Sequence, residues 1–385
     1  MRIFAETEPL VRWPSGISAY VVGLLHGFAE IGDPSVALET GCASARPARH
    51  AALRQRLRQM DLHLPYHCVP LPGRLAARLG ALRRYTAWPP FPAFDIAHST
   101  AILLSHTAPA RRRLLTVYDV GFLRYPKRRF GGDIGEAIVQ RFARDLRRAD
   151  RILAISEFTK RELLAVCGVP PECVTVTPLA VQWQFEDADN VADPDGAVLA
   201  KHGLAAGAYF LSVGLLSPRK NYDTVLKAFS AFRARQPAAA LVIVGDIGWD
   251  TGPLEQQIKA LGPAVRWIRR AGQHELAALY RQATALVYLS WYEGFGIPVL
   301  EAMTWGCPAI VARGSALDEV LGKAGLTVEP PDAAAAVRCM ESLWDHPEAR
   351  AEWAERGRQR ARAFTWRRTA EATLAAYRTV LDLTL

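Results

Sequence analysis

Short apolar runs alternate with amphipathic stretches along most of the chain. In the first half, the runs that predict strands lie at 1–5, 35–38, 94–98, 114–118, 151–155 and 174–177. In the second half, they lie at 209–214, 240–245, 265–268, 285–289, 309–312 and 326–328. The first stretch of helical periodicity covers residues 17–31 and ends at Gly32. This alternation predicts an α/β protein with a doubly wound parallel sheet in each half.

A change of composition near residue 190 divides the chain. Residues 186–196 are acidic and turn-forming, which is typical of an interdomain linker, and they contain two Asp-x-Asp triplets at 187–189 and 193–195. Neither triplet follows a predicted strand, so we interpret them as solvated linker and predict no metal site. Residues 70–93 are rich in proline and arginine, which predicts an irregular segment that interrupts the strand-helix alternation of the first domain.

Length and composition indicate a folded, two-domain protein. The chain of 385 residues is longer than a domain with a single hydrophobic core usually is, and 50% of its residues are hydrophobic. No apolar run reaches the length of a membrane span and the first residues do not resemble a signal peptide, so we expect a cytoplasmic protein. Six scattered cysteines without metal-binding spacing predict free thiols.

Positive charge is concentrated in the first half. Of the net charge of +9, most belongs to residues 1–190, with 25 Lys and Arg against 18 Asp and Glu. Such a surface could bind an anionic membrane, and the protein would then be a peripheral membrane protein. It could equally bind an acidic or lipid-diphosphate acceptor. A solvated arginine-rich face explains the charge equally well. No helix-turn-helix, zinc-finger or RNA-binding signature occurs in the sequence, so nucleic acid is not an expected partner.

The segment 290–303, Ser-Trp-Tyr-Glu-Gly-Phe-Gly-Ile-Pro-Val-Leu-Glu-Ala-Met, places two carboxylates around a glycine turn. An apolar run predicts a strand directly before it, and apolar residues from Pro298 onward follow at helical spacing. Glu293 is therefore expected at the carboxyl end of a strand, and Glu301 in the first turns of the next helix. Ligands bind at this position in open α/β sheets, where a helix N-terminus presents N–H groups to an anion.

Two adjacent cations follow another predicted strand. Residues 217–221, Ser-Pro-Arg-Lys-Asn, come after the run 209–214 and open an amphipathic stretch. At a helix N-terminus, Arg219 and Lys220 form a suitable clamp for a diphosphate. A solvated Arg-Lys turn is the alternative, and the position of the pair before Glu293 favours the clamp.

The strand, glycine turn and helix around Glu293 resemble the donor-site signature of glycosyltransferase family 4, whose members are retaining enzymes of GT-B architecture. The resemblance continues through 306–311 and 315–320, and it covers the chain weakly before residue 114 and strongly from 209 to 330. It implies two Rossmann-like domains that face each other across a cleft.

The resemblance also assigns the domains. An acceptor-side domain would cover residues 1–190, and a domain that binds the nucleotide-sugar donor would cover 191–365. A C-terminal helix, 366–385, would pack back on the first domain.

Roles for the donor-site residues follow from the resemblance. Arg219 and Lys220 would contact the donor diphosphate and stabilise the charge that develops on it as it leaves. Glu293 would bind hydroxyls of the transferred sugar, and Glu301 those of the ribose. The further donor-binding positions are Gly16, Asn221, Gly294, Phe295 and Gly296. Whether Glu293 also acts as a nucleophile stays open; we favour front-face attack assisted by the leaving phosphate, without a metal or other cofactor.

Three residues of the first half are candidates near the acceptor or the sugar. Relatives often end the strand 114–118 with His-Asp, whereas this chain has Tyr118, whose hydroxyl would serve as a hydrogen-bonding group, followed by Asp119. Asp119 is the preferred acceptor-side and catalytic candidate, with a helix-capping or loop aspartate as an equal alternative. His98 ends its strand on the expected cleft side, although a lone histidine is more often structural.

These features predict a retaining, metal-independent glycosyltransferase. It would move a hexose-type sugar, mannosyl or glucosyl, from a nucleotide-sugar to a glycan or lipid-linked glycan in bacterial surface polysaccharide synthesis. The alternative is a catalytically inactive scaffold of the same fold that binds sugar nucleotides. Retention of both cations and both carboxylates disfavours the scaffold, and nothing in the chain requires a glycan phosphorylase. The donor base, the linkage and the oligomeric state are left open by the sequence.

Overall fold

The computed structural model describes residues 1–12, 15–44, 46–69, 93–104, 108–125, 135–181 and 196–382. The chain forms two compact units. The first comprises Met1–Val120, Gly135–Gln182 and Thr365–Leu385, and the second Gly121–Ile134 and Trp183–Phe364. The predicted boundary at 190/191 lies among residues outside the described ranges and stays a prediction. The irregular segment at 70–92 and the linker at 186–195, with both Asp-x-Asp triplets, lie outside the described residues.

Strands and helices alternate as the hydrophobic pattern predicts. The strands are β1 (Arg2–Glu6), β2 (Ala37–Ala43), β3 (Tyr66–Val69), β4 (Phe94–Ser99), β5 (Ala110–Val117), β6 (Arg151–Ala154), β7 (Val174–Val176), β8 (Tyr209–Val213), β9 (Ala240–Val244), β10 (Val265–Ile268), β11 (Ala285–Tyr288), β12 (Ala309–Ala312) and β13 (Leu326–Val328). The helices are α1 (Gly16–Ile31), α2 (Pro47–Gln59), α3 (Gly121–Arg124), α4 (Glu136–Arg148), α5 (Glu157–Cys167), α6 (Ala197–Lys201), α7 (Tyr222–Arg233), α8 (Gly252–Leu261), α9 (Gln273–Gln282), α10 (Ile297–Thr304), α11 (Ala316–Leu321), α12 (Ala333–Asp345), α13 (Pro347–Ala361) and α14 (Trp366–Asp382). Short 3₁₀ turns cover Glu8–Arg12, Pro171–Cys173, Pro218–Lys220 and Gly262–Ala264.

The first unit is built on a parallel sheet with the strand order β3-β2-β1-β4-β5-β6-β7. In the register of the central strand, Ile3 pairs with Leu38 of β2 and with Ile96 of β4. The strand order reverses direction at β1 and β4. In sheets of this type the carboxyl ends of such strands border a ligand crevice.

Helix α14 belongs to the first unit, although it follows the whole second unit in sequence. It lies along α1, where two glycines leave room for Trp366. A Cβ atom at Gly23 would lie 2.0 Å from Trp366 Cε2, and one at Gly27 would lie 2.3 Å from the Trp366 carbonyl oxygen. Phe28 of α1 also stacks on Tyr377 of α14, with ring centroids 5.9 Å apart. The two helices therefore share one packed interface.

The second unit has the strand order β10-β9-β8-β11-β12-β13, again with parallel pairing. Phe210 of β8 pairs with Ala285 of β11. The strand order reverses at these two strands, so their carboxyl ends border the expected crevice. Beneath it, buried aromatic and aliphatic side chains of β8, β9 and α7 form the core, with Phe229 and Phe232 fully buried.

Two further expectations concern cysteines and membrane spans. All six cysteines are free thiols, as predicted. Among the described helices, none combines the length and the apolar character that crossing a bilayer requires.

Candidate active site

The two adjacent cations lie on a tight turn at the carboxyl end of β8. After β8 the chain passes Gly214 and enters the 3₁₀ turn Pro218–Lys220, which has proline at its start. Gly214 has φ +142°, and a Cβ atom there would lie 3.2 Å from Lys220 Cε. The glycine thus leaves space for the Lys220 side chain to fold back over the end of the strand. The cations therefore occupy the 3₁₀ turn, and α7 begins only after it.

Asn221 fixes this turn to its neighbours. Its φ of +55° is left-handed, a conformation that asparagine tolerates better than most residues. Its side-chain N–H groups donate to the carbonyl oxygens of Leu289 at 3.0 Å and Pro330 at 2.7 Å, and its Oδ1 accepts from Thr224 at 2.9 Å. The buried amide is thereby committed to the fold. These bonds let Asn221 position the turn, and its expected donor contact stays a prediction.

Glu293 joins both cations. It follows β11 on the loop before α10, and the residue is 7% exposed. Arg219 Nη1 donates to Glu293 Oε2 at 2.8 Å, and Lys220 Nζ donates to Oε1 at 2.7 Å. Tyr288, the last residue of β11, donates its hydroxyl to the same Oε1 at 3.0 Å and also contacts Lys220 Nζ. Two strands that meet at the crevice thus deliver one closed network of charges.

The network determines the charge states of its members. Burial alone would raise the pKa of Glu293, but Arg219 and Lys220 lower it to about 2. Burial and the neighbouring Glu293 carboxylate raise the pKa of Tyr288 well above its ordinary value, so Tyr288 is a neutral hydrogen-bond donor. Two cations and one carboxylate leave a net positive charge, which favours binding of an anion.

Glu301 lies in the second turn of α10, as the sequence predicts. Its Oε2 accepts a hydrogen bond from the hydroxyl of Tyr280 in α9 at 2.9 Å. Burial raises its pKa to about 7, because this single hydrogen bond only partly compensates for the loss of water. Glu301 therefore changes its charge near neutral pH, whereas Glu293 stays ionised.

The glycine turn between the two carboxylates presents backbone rather than side chains. Gly296 has φ +105°, and a Cβ atom there would lie 2.4 Å from Leu317 Cδ2. Phe295 is buried, with its ring 5.8 Å from that of Phe364 in an edge-on contact. No side chain caps α10, and Gly294 is buried within the turn. Any contact of a ligand with Phe295 therefore involves its main chain.

His98 is a core residue of the first unit. It is 1% exposed, its Nδ1 lies 2.7 Å from the Tyr377 hydroxyl, and its Nε2 lies 2.7 Å from Thr116 Oγ1. Burial lowers its pKa to about 3, so the ring is neutral. His98 therefore links β4 and β5 to α14 and is not accessible to a sugar. The structural alternative holds for this residue, and the expected sugar contact was wrong.

The other first-unit candidates lie on or near its surface. Tyr118 follows β5 and donates its hydroxyl to the Thr100 carbonyl oxygen at 2.6 Å, so this group is engaged by the fold. Asp119 is partly exposed at the carboxyl end of the sheet. Gly16 is exposed at the start of α1, where Ser15 caps the helix.

Tyr288 is the member of the charge network that sequence reasoning missed. It contacts Lys220 and Glu293, yet it reads as one more apolar position of a buried strand. The available signal was its place as the last residue of the strand that leads to Glu293. A tyrosine at the carboxyl end of such a strand is expected to border the ligand crevice, where its hydroxyl can take part in the site.

Two family models match the chain, one in each half. Residues 14–183 match the model for Glycosyltransferase Family 4, and residues 200–360 match the model for Glycosyl transferases group 1. The chain is 29% identical over 406 residues to the O-antigen chain mannosyltransferase B of Escherichia coli, across 98% of this chain and 100% of the relative. It is 30% identical over 256 residues to D-inositol 3-phosphate glycosyltransferase 2 of Catenulispora acidiphila, across 61% of this chain and 57% of the relative.

A solved structure adds information on the fold. The Anabaena protein HepE, determined in complex with UDP-glucose, superposes with a TM-score of 0.71 at 16% identity, across 98% of this chain and 100% of that chain. At this identity the similarity concerns the fold alone. With the two parallel sheets, it confirms the predicted GT-B architecture of two Rossmann-like units.

Proposed function

Because the chain belongs to glycosyltransferase family 4, we propose that it is a retaining, metal-independent hexosyltransferase of bacterial surface polysaccharide synthesis. The observation that carries the proposal is the closed network of Arg219, Lys220 and Glu293 at the carboxyl ends of β8 and β11. It places a net positive charge where an open α/β sheet binds nucleotides.

The donor we propose is a nucleotide-activated mannose. Support comes from the full-length similarity to a mannosyltransferase, whereas the UDP-glucose in HepE belongs to a protein that shares the fold alone. The acceptor would be a glycan or lipid-linked glycan. The excess positive charge of the first half supports peripheral contact with the anionic membrane in which such a lipid is embedded.

The network suits the departure of a diphosphate. When the bond between the anomeric carbon and the phosphate oxygen breaks, negative charge grows on the phosphate. Arg219 and Lys220 are already held in place by Glu293, so they stabilise that charge with little reorganisation. Removal of one such preorganised group typically lowers kcat about 10²–10³-fold.

The state of Glu293 favours front-face attack. Its two oxygens accept hydrogen bonds from both cations, and its pKa of about 2 makes it a weak nucleophile. In the proposed step, the acceptor oxygen bonds to the anomeric carbon on the face that the phosphate leaves. The acceptor proton passes to a phosphate oxygen, and the anomeric configuration is retained. Glu293 then holds sugar hydroxyls instead of forming a bond to carbon.

The test is transfer from GDP-mannose and UDP-glucose to a mannosyl oligosaccharide in the presence of a chelator. The anomeric configuration of the product is read by NMR. We expect mannosyl transfer with retention, lowered about 10²–10³-fold by Lys220→Ala. Lys259→Ala, a control at an exposed lysine of α8, should leave it unaffected. An inverted product, or activity that requires a divalent cation, would contradict the mechanism. Nucleotide binding without transfer to any acceptor would instead favour the inactive scaffold.

A further inference from the structure

Two pockets adjoin in the first unit, on the side where α1 and α2 end and β2 and β3 begin. The first has a volume of about 180 Å³ and is lined mainly by apolar side chains, among them Phe28, Val36 and Leu374. An apolar cavity of about 150 Å³ is large enough to bind benzene, so this one has room for a short hydrocarbon segment. Its wall includes Leu64.

Leu64 also forms a wall of the second pocket, which is larger and cationic. This pocket has a volume of about 500 Å³ and is lined by the last turns of α2 and by residues 62–66. Arg54 and Arg58 stand one helical turn apart on its rim, both exposed. The Arg54 guanidinium lies 5.3 Å from the centroid of the Tyr66 ring, which holds it over the pocket.

The two arginines are available to an external anion. In the described part of the chain neither has a carboxylate partner, whereas Arg49 of the same helix pairs with Glu8 at 2.8 Å. Helix α2 contains no acidic residue. The acidic groups nearest to Arg54 and Arg58 in sequence have other partners: Asp61 contacts His63 at 3.1 Å, and Glu39 pairs with Arg2 at 2.7 Å. Asp33, which lines the apolar pocket, pairs with Arg378 at 2.6 Å.

The pockets lie at the end of the sheet opposite to the candidate acceptor residue. In a parallel sheet the helices run back, so the ends of α1 and α2 mark the amino end of the strands. Asp119 follows β5 and therefore lies at the carboxyl end. A strand of five residues such as β1 spans about 16 Å, which separates the two sites by roughly that distance.

We propose that the two pockets together bind an anionic membrane lipid, with its phosphate on Arg54 and Arg58 and part of an acyl chain in the apolar pocket. Charge complementarity argues for this occupant, because unpaired guanidinium groups stand directly beside an apolar cavity. The site rests on the proposed contact with the anionic membrane and assigns it to particular residues, but it does not depend on the proposed sugar transfer. It would hold the amino end of the first sheet towards the bilayer and leave the carboxyl end open to a glycan.

The first experiment measures vesicle binding of the full chain by flotation. Vesicles of phosphatidylcholine alone are compared with vesicles that also contain phosphatidylglycerol. We expect Arg54→Gln/Arg58→Gln to lower partition to the anionic vesicles about 25-fold at low salt. The matched control, Arg147→Gln/Arg148→Gln, removes two exposed arginines at the end of α4. An equal loss in the control would indicate unspecific electrostatics and would overturn the proposal, as would an unchanged α2 variant.

The second experiment separates the lipid from its parts. Thermal stabilisation of the full chain is measured with monomeric dodecyl phosphate, inorganic phosphate and dodecyl maltoside. We expect dodecyl phosphate to stabilise the protein more than the maltoside and more than inorganic phosphate, which the cations of the charge network can also bind. This excess stabilisation is the effect that reports the lipid site. Ala29→Trp, which fills the apolar pocket from an exposed position of α1, should abolish the effect, as should the double arginine variant. Equal stabilisation by inorganic phosphate or by the maltoside would overturn the proposal.

Transfer to a soluble oligosaccharide provides an independent readout. It should be unchanged in the pocket variants, because none of their residues belongs to the charge network. Failure of the lipid site would therefore leave the sugar-transfer assay intact. Conversely, an inactive transferase would leave the vesicle assay interpretable.

Discussion

Replacement of Glu293 by glutamine removes the single anion that two cations share. Lys220 is 10% exposed and Arg219 21% exposed in their side chains, so neither cation is freely hydrated. A pKa lowered from 4.5 to about 2 corresponds to about 3 kcal/mol of stabilisation at neutral pH. Breaking a buried ion pair from one side typically costs about 3–5 kcal/mol, which agrees with this magnitude. We therefore expect Glu293→Gln to lower the free energy of unfolding by about 3 kcal/mol.

The pH dependence of this loss has a definite sign. Because the folded-state pKa of Glu293 is depressed, its contribution is fully present above pH 4.5 and is lost as the pH falls towards 2. The difference in unfolding free energy between wild type and Glu293→Gln should therefore shrink over this interval. Urea unfolding of the full chain at a series of pH values measures it. Glu348→Gln, at a side chain that is 76% exposed, is the control and should change stability by less than about 0.5 kcal/mol.

A nucleoside diphosphate offers a second anion to the same cations. In the variant the network carries one more positive charge, so the nucleotide should bind more tightly than to wild type and restore part of the lost stability, while sugar transfer fails. Calorimetric titration of both proteins with GDP and UDP tests this. A loss of stability below about 1 kcal/mol, or a nucleotide affinity that falls with the charge, would refute the account of a shared cation pair.

Three further predictions concern residues around the network and the helix interface. Asn221→Gly keeps the left-handed backbone but removes the side-chain hydrogen bonds to Leu289 and Pro330. It should lower the free energy of unfolding by about 1–3 kcal/mol, measured by urea unfolding, and lower kcat, measured by steady-state kinetics. Nucleotide affinity should rise from pH 6 to 8 as Glu301, with a pKa of about 7, ionises to accept ribose hydroxyls; Glu301→Gln should flatten this profile in calorimetric titrations. Gly23→Val should destabilise the fold by about 1–3 kcal/mol through its clash with Trp366, and Trp366→Leu in the same chain should recover part of the loss, whereas additive losses would contradict the contact.

Most of the fold could be predicted because its strands are short apolar runs bounded by turns. Strands β8 to β13 begin at the predicted residues and end within a residue of them. Strand β3 and helix α2 were missed. Helix α2 buries only His50, Leu53 and Leu57 along its length, so its sequence carries little helical periodicity. Elements at the edge of a sheet bury only a narrow face against the core. Their sequences therefore contain too few regularly spaced hydrophobic residues to be recognised.

The site was predicted in its parts but not in its connections. The loop positions of Glu293 and Arg219 follow from strand ends and glycine turns. Their direct ion pair joins residues 74 apart in sequence, and no local pattern encodes it. His98 was misjudged for the same reason, since its partner Tyr377 lies 279 residues away. A side chain's commitment to distant partners becomes visible only in three dimensions.

The first unit is built from stretches of chain that lie far apart in sequence, and this has a consequence for biosynthesis. Residues 183 to 364 must be translated before α14 emerges, which takes roughly 10 to 40 s at about 5–20 residues per second. During that interval the nascent unit presents an uncovered groove on α1, lined by Gly23, Gly27 and Phe28, to the chaperones around the ribosome. Separate expression of the first half therefore requires residues 365–382 to be grafted behind residue 182, so that the groove is filled within one polypeptide.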